Sequence, residues 1–203
     1  FQLGRYAVYF TIPNDDYSYN IYSPTIKDYT SFYFSKTAGN AAKIKYPDGG
    51  VFYLHFLENK GENYCYDYSK AIREDSAIDK AVTSYINQLL KAARKLVPKD
   101  GKKYYITANS TKLDVIVPSS NNWRLAIGSH QIGFKVECYY DKNNKSYKMY
   151  TTLIAYDRYN FDKDTVFVYK NIKINVAWNG RLVEVGLAKF YTSVGIYQFY
   201  SIF

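Results

Sequence analysis

Cysteine and histidine are scarce in this chain. Of 203 residues, two are Cys (Cys65 and Cys138), two are His (His55 and His130), two are Trp and one is Met. Two cysteines so far apart match no zinc-ligand spacing, and with two histidines a His/Cys metal site is not expected. Either the pair forms one disulfide in an oxidising compartment or both are buried free thiols. No apolar run approaches the ~20 residues that cross a bilayer, which excludes a simple transmembrane protein. A Gly-rich phosphate loop, a G-x-S-x-G elbow and an H-E-x-x-H pair are all missing. A Ser-His-Asp or Cys-His system needs His55 or His130, and neither lies beside a nucleophile in sequence, so such a system would have to assemble in space. Phe1 is neither a start residue nor part of a signal peptide, so the chain is expected to be a piece of a longer protein.

Tyrosine is abundant, at 25 residues, and with 12 Phe it makes disorder untenable. Flat rings with a polar edge suit a pleated surface, so strands are expected. Lys and Arg outnumber Asp and Glu by 27 to 18, a net charge of +9. Such a balance draws a protein to phosphates in nucleic acid, anionic lipid or a pyrophosphate, although it is also what ordinary solubilising charge produces. Six basic residues (Lys91, Arg94, Lys95, Lys99, Lys102 and Lys103) stand against Asp100 alone, which reads as a phosphate-facing patch or a solvated helix end.

Read along the chain, Gly4 to Ile12, Thr30 to Ser35 and Val51 to Leu57 resemble strands. Asn14-Asp15-Asp16 and Pro47-Asp48-Gly49-Gly50 read as turns. His55, inside an apolar run, reads as a hydrogen-bonded core residue. A long amphipathic helix is predicted over ~76–97: Ile78, Val82, Tyr85, Ile86, Leu89, Leu90 and Ala93 recur at helical spacing, Ser76 or Asp75 caps it, and Pro98 stops it. Strands are expected at Tyr104 to Ala108, Leu113 to Val117 and Trp123 to Gly128. A long hairpin over 133–156 turns at Asp141-Lys142-Asn143-Asn144-Lys145, with Phe134, Val136 and Cys138 alternating with Lys135, Glu137 and Tyr139. A second helix near 172–190, broken by Gly180 and Gly186, and a closing strand from Ile196 to Phe203 complete the reading. The expected fold is α+β: one antiparallel, β-rich domain over 1–203, with a β-rich N-terminal half (1–103) and a second part over ~104–203.

Chemistry concentrates at Tyr156-Asp157-Arg158-Tyr159-Asn160-Phe161-Asp162. If strand geometry persists there, Asp157, Tyr159 and Phe161 face one way and Arg158, Asn160 and Asp162 the other. Two strand-end carboxylates can hold Mg²⁺ or handle a proton, and an arginine can hold a phosphate. A polar turn with a capping aspartate and a core phenylalanine is the alternative.

The order of elements over residues ~126–190 resembles the colicin M-like toxin domains, which cleave the peptidoglycan precursor lipid II. The matching parts are Ala126-Ile127-Gly128, the hairpin with its Asn-rich tip, the D-x-Y-[DN]-F-[DN] signature (Asp157, Tyr159, Asn160, Phe161, Asp162) and a helix end at Val185-Gly186-Leu187-Ala188. The D-R-Y-N-F run followed by Gly186-Leu187-Ala188-Lys189-Phe190 is also similar to C-terminal domains of bacterial polymorphic toxins. The resemblance implies an antibacterial toxin secreted or delivered to the target cell's periplasm or inner-membrane surface. It implies a catalytic set of Asp157, Arg158, Tyr159, Asn160, Asp162 and His130, with Mg²⁺ on Asp157 and Asp162. It also implies lipid II as substrate and an immunity protein as partner. Two positions depart from the pattern: Asn160 replaces an acidic residue, and no histidine follows His130, so base chemistry at position 160 is lost. The alternative is a non-enzymatic toxin that binds or permeabilises an anionic membrane, using tyrosines and the 91–103 basic segment. Nucleic-acid binding ranks last, since no module signature for it is present.

Overall fold

The computed structural model describes residues 2–4, 19, 21–58, 61–107, 115–161, 166–169, 172–175 and 177–203. In chain order these form β1 (Gln2–Gly4), α1 (Ile26–Lys45), α2 (Pro47–Glu58), β2 (Tyr64–Asp67), α3 (Tyr68–Glu74), α4 (Ser76–Leu96), β3 (Tyr104–Thr107), α5 (Asn121–Ile127), β4 (Gln131–Asp141), β5 (Ser146–Tyr159), β6 (Val166–Tyr169), β7 (Ile172–Asn175), α6 (Ala177–Glu184) and β8 (Tyr191–Ile202). The fold is α+β. One sheet runs β1-β3-β4-β5-β8-β2, antiparallel except for the parallel pair β8/β2, and β6 and β7 form a separate antiparallel pair.

The hairpin is the spine of the sheet. β4 and β5 pair from Asp141↔Ser146 to Gln131↔Tyr156, and β5 pairs with β8 from Lys148↔Ile202 to Tyr159↔Tyr191. Alternation sends Ile132, Val136, Cys138, Met149, Leu153 and Ala155 inward, where all are buried. Helices cover that face. Phe52 and Phe56 of α2, Tyr68 of α3, Ile78 and Val82 of α4 and Trp123 of α5 join the main cluster, and Leu89 and Ala93 of α4 close a second one over β3–β5. The opposite face of the sheet leaves Tyr150, Tyr200, Ile196 and Ile202 exposed, as an antiparallel sheet with one wet side permits. No described helix is long and apolar enough to cross a membrane.

Helix α4 forms where its apolar spacing places it, with Asp75 rather than Ser76 as N-cap. The Asp75 carboxylate accepts from the backbone N–H groups of Ala77, Ile78, Ser119 and Ser120, so it caps α4 and ties the approach to α5 onto it.

Several expected strands are helices. Thr30 to Ser35 lies inside α1, which begins with a reciprocal capping box between Thr25 and Asp28. Val51 to Leu57 lies inside α2, whose Pro47 occupies the first helical position, where its missing N–H costs nothing, so Pro47–Gly50 is a helix start rather than a turn. A short apolar run such as 51–57 does not distinguish strand from buried helix by periodicity. Trp123 to Gly128 falls in α5, capped by the Ser120 hydroxyl and ended by Gly128. The second helix expected near 172–190 forms as the shorter α6, with β7 before it and a turn at Gly186, which has positive φ, after it. The strand expected at Gly4–Ile12 and the turn at 14–16 lie mostly outside the described residues, as do 113–114 of the strand expected at Leu113–Val117. From that last segment Ile116 forms an isolated bridge with His130. His55 sits on α2, its Nε2 3.0 Å from the Glu62 carbonyl. Cys65 and Cys138 are both free, the first exposed and the second buried. They lie on β2 and β4 with two strands between them, at ~4.8 Å per strand, so no bond joins them.

Candidate functional site

Asp157 stands near the end of β5, on the face that carries the core. Its strand partner is Ser193 of β8, whose hydroxyl donates to the Asp157 carbonyl at 3.4 Å. Gly128, the residue that ends α5, comes up against its carboxylate: a Cβ placed there would lie 3.7 Å from Asp157 Oδ2. Gly128 has φ 50° and ψ −145°, a conformation that only glycine holds without strain. The two separated pieces of the toxin-like pattern, Ala126-Ile127-Gly128 and the 157–161 run, therefore meet at one point.

That carboxyl is half-buried and lies among phenols. Burial pushes the Asp157 pKa up to about 7, opposed by a hydrogen bond from the Arg158 backbone N–H. Tyr66, Tyr159 and Tyr191 lie close enough to feel its charge, and burial raises the pKa of all three, so they stay neutral donors. The Tyr159 hydroxyl donates to the Leu125 carbonyl at 3.3 Å and that of Tyr191 to the Phe52 carbonyl at 2.9 Å. The Tyr66 hydroxyl differs. It is buried over the backbone of Gly195, where a Cβ would sit 2.7 Å from it, and it has no hydrogen-bond partner among the described residues. A buried polar atom left unmatched beside an ionisable carboxyl is the kind of group a ligand satisfies.

His130 enters from the start of β4. β4 and β5 pair Gln131 with Tyr156, and continuing that register by one step sets His130 opposite Asp157. It is 1% exposed. Its Nε2 lies 2.6 Å from the Tyr68 hydroxyl and its Nδ1 3.4 Å from the Gly128 carbonyl, so Tyr68 donates and Nδ1–H is donated. Burial pushes its pKa down to about 4, partly countered by the Gly128 hydrogen bond and the charge of Asp75, and it is neutral near pH 7.

Apart from Tyr159, the other expected site residues do not join this group. Alternation turns Arg158 away from Asp157, and its guanidinium lies 5.8 Å from the centre of the Phe190 ring. Asn160 is exposed at the strand's end, Tyr159 is a core residue, and Asp162 lies outside the described residues. Asp157 is thus the one carboxylate that the described part of the signature brings to this spot. Mg²⁺ prefers several oxygen ligands, and among the described residues no three His, Cys, Asp or Glu side chains gather to hold a metal. A single desolvated carboxyl among neutral phenols does not by itself fit the ion.

Sequence reading missed Tyr66, Tyr68 and Ser193. In a chain with 25 tyrosines nothing local marks two of them. The arrangement is suited to proton transfer: a carboxyl that titrates near neutrality serves as acid or base, with a neutral imidazole reaching the same Gly128 and an unmatched phenol within range of its charge. Compared with known proteins, the chain matches no family model, no curated protein and no solved structure.

Proposed function

We propose that this chain is an antibacterial toxin domain that acts at the target-cell envelope by hydrolysing lipid II. The observation that supports the reading is the contact of Gly128 with Asp157, which joins the two separated parts of the toxin-like pattern around a carboxyl that titrates near neutrality. At neutral pH Asp157 is divided between its two forms. As carboxylate it accepts a proton from the water that attacks the ester between pyrophosphate and lipid; as acid it returns one to the departing oxygen. Tyr66 supplies a hydroxyl to a substrate oxygen. An immunity protein made alongside the toxin is part of the proposal, as is delivery to the periplasmic side of the inner membrane.

The test is release of the water-soluble head group from purified lipid II, assayed with Mg²⁺ and with a chelator. Turnover by the parent chain, abolished in Asp157→Asn and reduced in Tyr66→Phe, is the expected result. Absence of turnover under both conditions overturns the hydrolase reading, and leakage of dye from vesicles without turnover replaces it with a permeabilising toxin. Unimpaired growth of sensitive bacteria expressing the chain in the periplasm removes the toxin assignment altogether.

A further inference from the structure

Helix α1 is built inside out. Its buried residues are Asp28, Ser35 and Gly39, one charged and two small, while Ile26, Tyr33, Phe34 and Ile44 are 87%, 65%, 72% and 90% exposed. The inward side chains are small because α2 is close: a Cβ on Gly39 would lie 2.9 Å from Leu54 Cδ2. The helix is therefore fastened to the body through small residues and the partly buried Phe32, while Ile26, Tyr33, Phe34 and Ile44 point away from the body.

At about 100° per residue, Ile26, Tyr33, Thr37 and Ile44 fall within about 20° of one line along the helix, with Tyr29 and Phe34 about 60–80° to either side. Lys27 and Lys45 fall about 100° to one side of that line and Lys36 and Lys43 about 80–100° to the other. The single acidic residue of α1, Asp28, is turned inward and bonded to Arg181, 3.1 Å from its Nε. Lys36 is paired with Glu58 of α2 at 2.7 Å, which leaves Lys27 and Lys45 on one flank and Lys43 on the other. An apolar line with lysines on both flanks and no outward anion of its own helix is the pattern of a helix lying in a lipid interface, where lysine stems reach past the apolar line to phosphates.

We propose that α1 docks this protein on an anionic membrane surface, with Ile26, Tyr33, Phe34 and Ile44 entering the headgroup layer and Lys27, Lys43 and Lys45 meeting lipid phosphates. Thr37 and Asn40 interrupt the strip, which sets the depth at the headgroups rather than the acyl chains. A second copy of the chain is a poor occupant, because pairing two α1 faces would bring like charges together. Trp178 of α6 is exposed beside the Lys27 flank, where it lines a shallow cavity with Thr25, Lys27, Asp28 and Ser31. The docking is independent of turnover at Asp157.

Vesicles of phosphatidylglycerol, compared with neutral phosphatidylcholine vesicles, test this. The parent chain is expected to co-sediment with the anionic vesicles, less so as salt rises. Its tryptophan emission should shift to the blue, a signal from Trp178 because Trp123 is already buried. The double variant Tyr33→Ser, Phe34→Ser should bind at least about tenfold more weakly while keeping its circular dichroism and melting temperature, since both side chains are exposed. Asp157→Asn should bind like the parent. No binding at low salt, or binding untouched in the double variant, overturns the proposal. So does loss of binding in Lys91→Gln, Lys95→Gln, which would place the contact on α4, or a concentration-dependent dimer that the double variant abolishes.

Discussion

His130 and Asp157 share Gly128 as a neighbour: the glycine's carbonyl accepts from the imidazole, and its bare Cα faces the carboxylate. Both side chains are neutral-leaving in the folded state, the carboxyl by keeping its proton and the imidazole by shedding one. Folding thus moves a proton's worth of affinity from the histidine to the aspartate.

The consequence for stability is a cancellation that single variants should break. Asp157 titrates at about 7 rather than 3.8, so its contribution is full below 3.8 and is lost as pH rises through 7. His130 titrates at about 4 rather than 6.5, so its contribution is full above 6.5 and is lost as pH falls through 4. Between these limits the two slopes oppose each other at ~1.4 kcal/mol per pH unit each. In Asp157→Asn, unfolding free energy should rise with pH from about 4 to 6.5, and in His130→Gln it should fall from about 4 to 7. Urea unfolding across that range, compared with the parent, checks both signs.

Substituting the shared glycine should harm both fold and chemistry. Gly128→Ala forces a side chain into the backbone conformation at φ 50°, ψ −145°, at a cost of about 1–3 kcal/mol. The added methyl also covers the carboxylate. A lowered melting temperature together with a loss of turnover exceeding the unfolded fraction is the expected pair of readings.

Asp75 makes a structural prediction remote from the carboxyl. Burial by itself would raise its pKa, but hydrogen bonds from Ser120, Ser119 and Ile78 outweigh it and pull the value down to about 2. Its stabilisation is therefore present above pH 3.8 and lost as pH falls toward 2. Asp75→Ala removes a helix cap and leaves the N–H groups of Ser119 and Ser120 unmatched, a loss on the order of 3 kcal/mol at pH 7. Denaturant midpoints at pH 7 and in acid should differ less in the variant than in the parent.

Thiol chemistry should divide the cysteines. Cys65 is exposed, whereas burial pushes Cys138 up to about 11 and shields it. An aromatic disulfide reagent should titrate one thiol in the native protein and two in denaturant, without prior reduction.

Where one physical signal dominated, the sequence was readable. The apolar spacing of Ile78 to Ala93 and the strict alternation of Phe134 to Cys138 each have a single interpretation, and α4 and the β4/β5 hairpin follow from them. α1 and α2 were not readable, because Thr30 to Ser35 and Val51 to Leu57 are rich in the residues that favour strands, and helix capping and close packing overrode that preference. For α5 a signal existed: a serine three residues before Trp123 and a glycine at the far end bracket a short helix. At the candidate site, Asp157 and His130 were identifiable as chemistry-bearing types. Their approach through Gly128 depends on register across β4 and β5, and Tyr66 arrives from a strand whose described pairing is with β8 alone.

That last pairing governs when the molecule can exist. Among the described residues β2, early in the chain, pairs only with β8, whose residues 191–202 emerge from the ribosome long afterwards. Until then Asp157 has neither Ser193 nor Tyr191 beside it, and Tyr66 has nowhere to lie. Such distant partners make assembly slow, so a chain interrupted before position 191 carries every residue of the signature without the strand that supplies Tyr191 and Ser193.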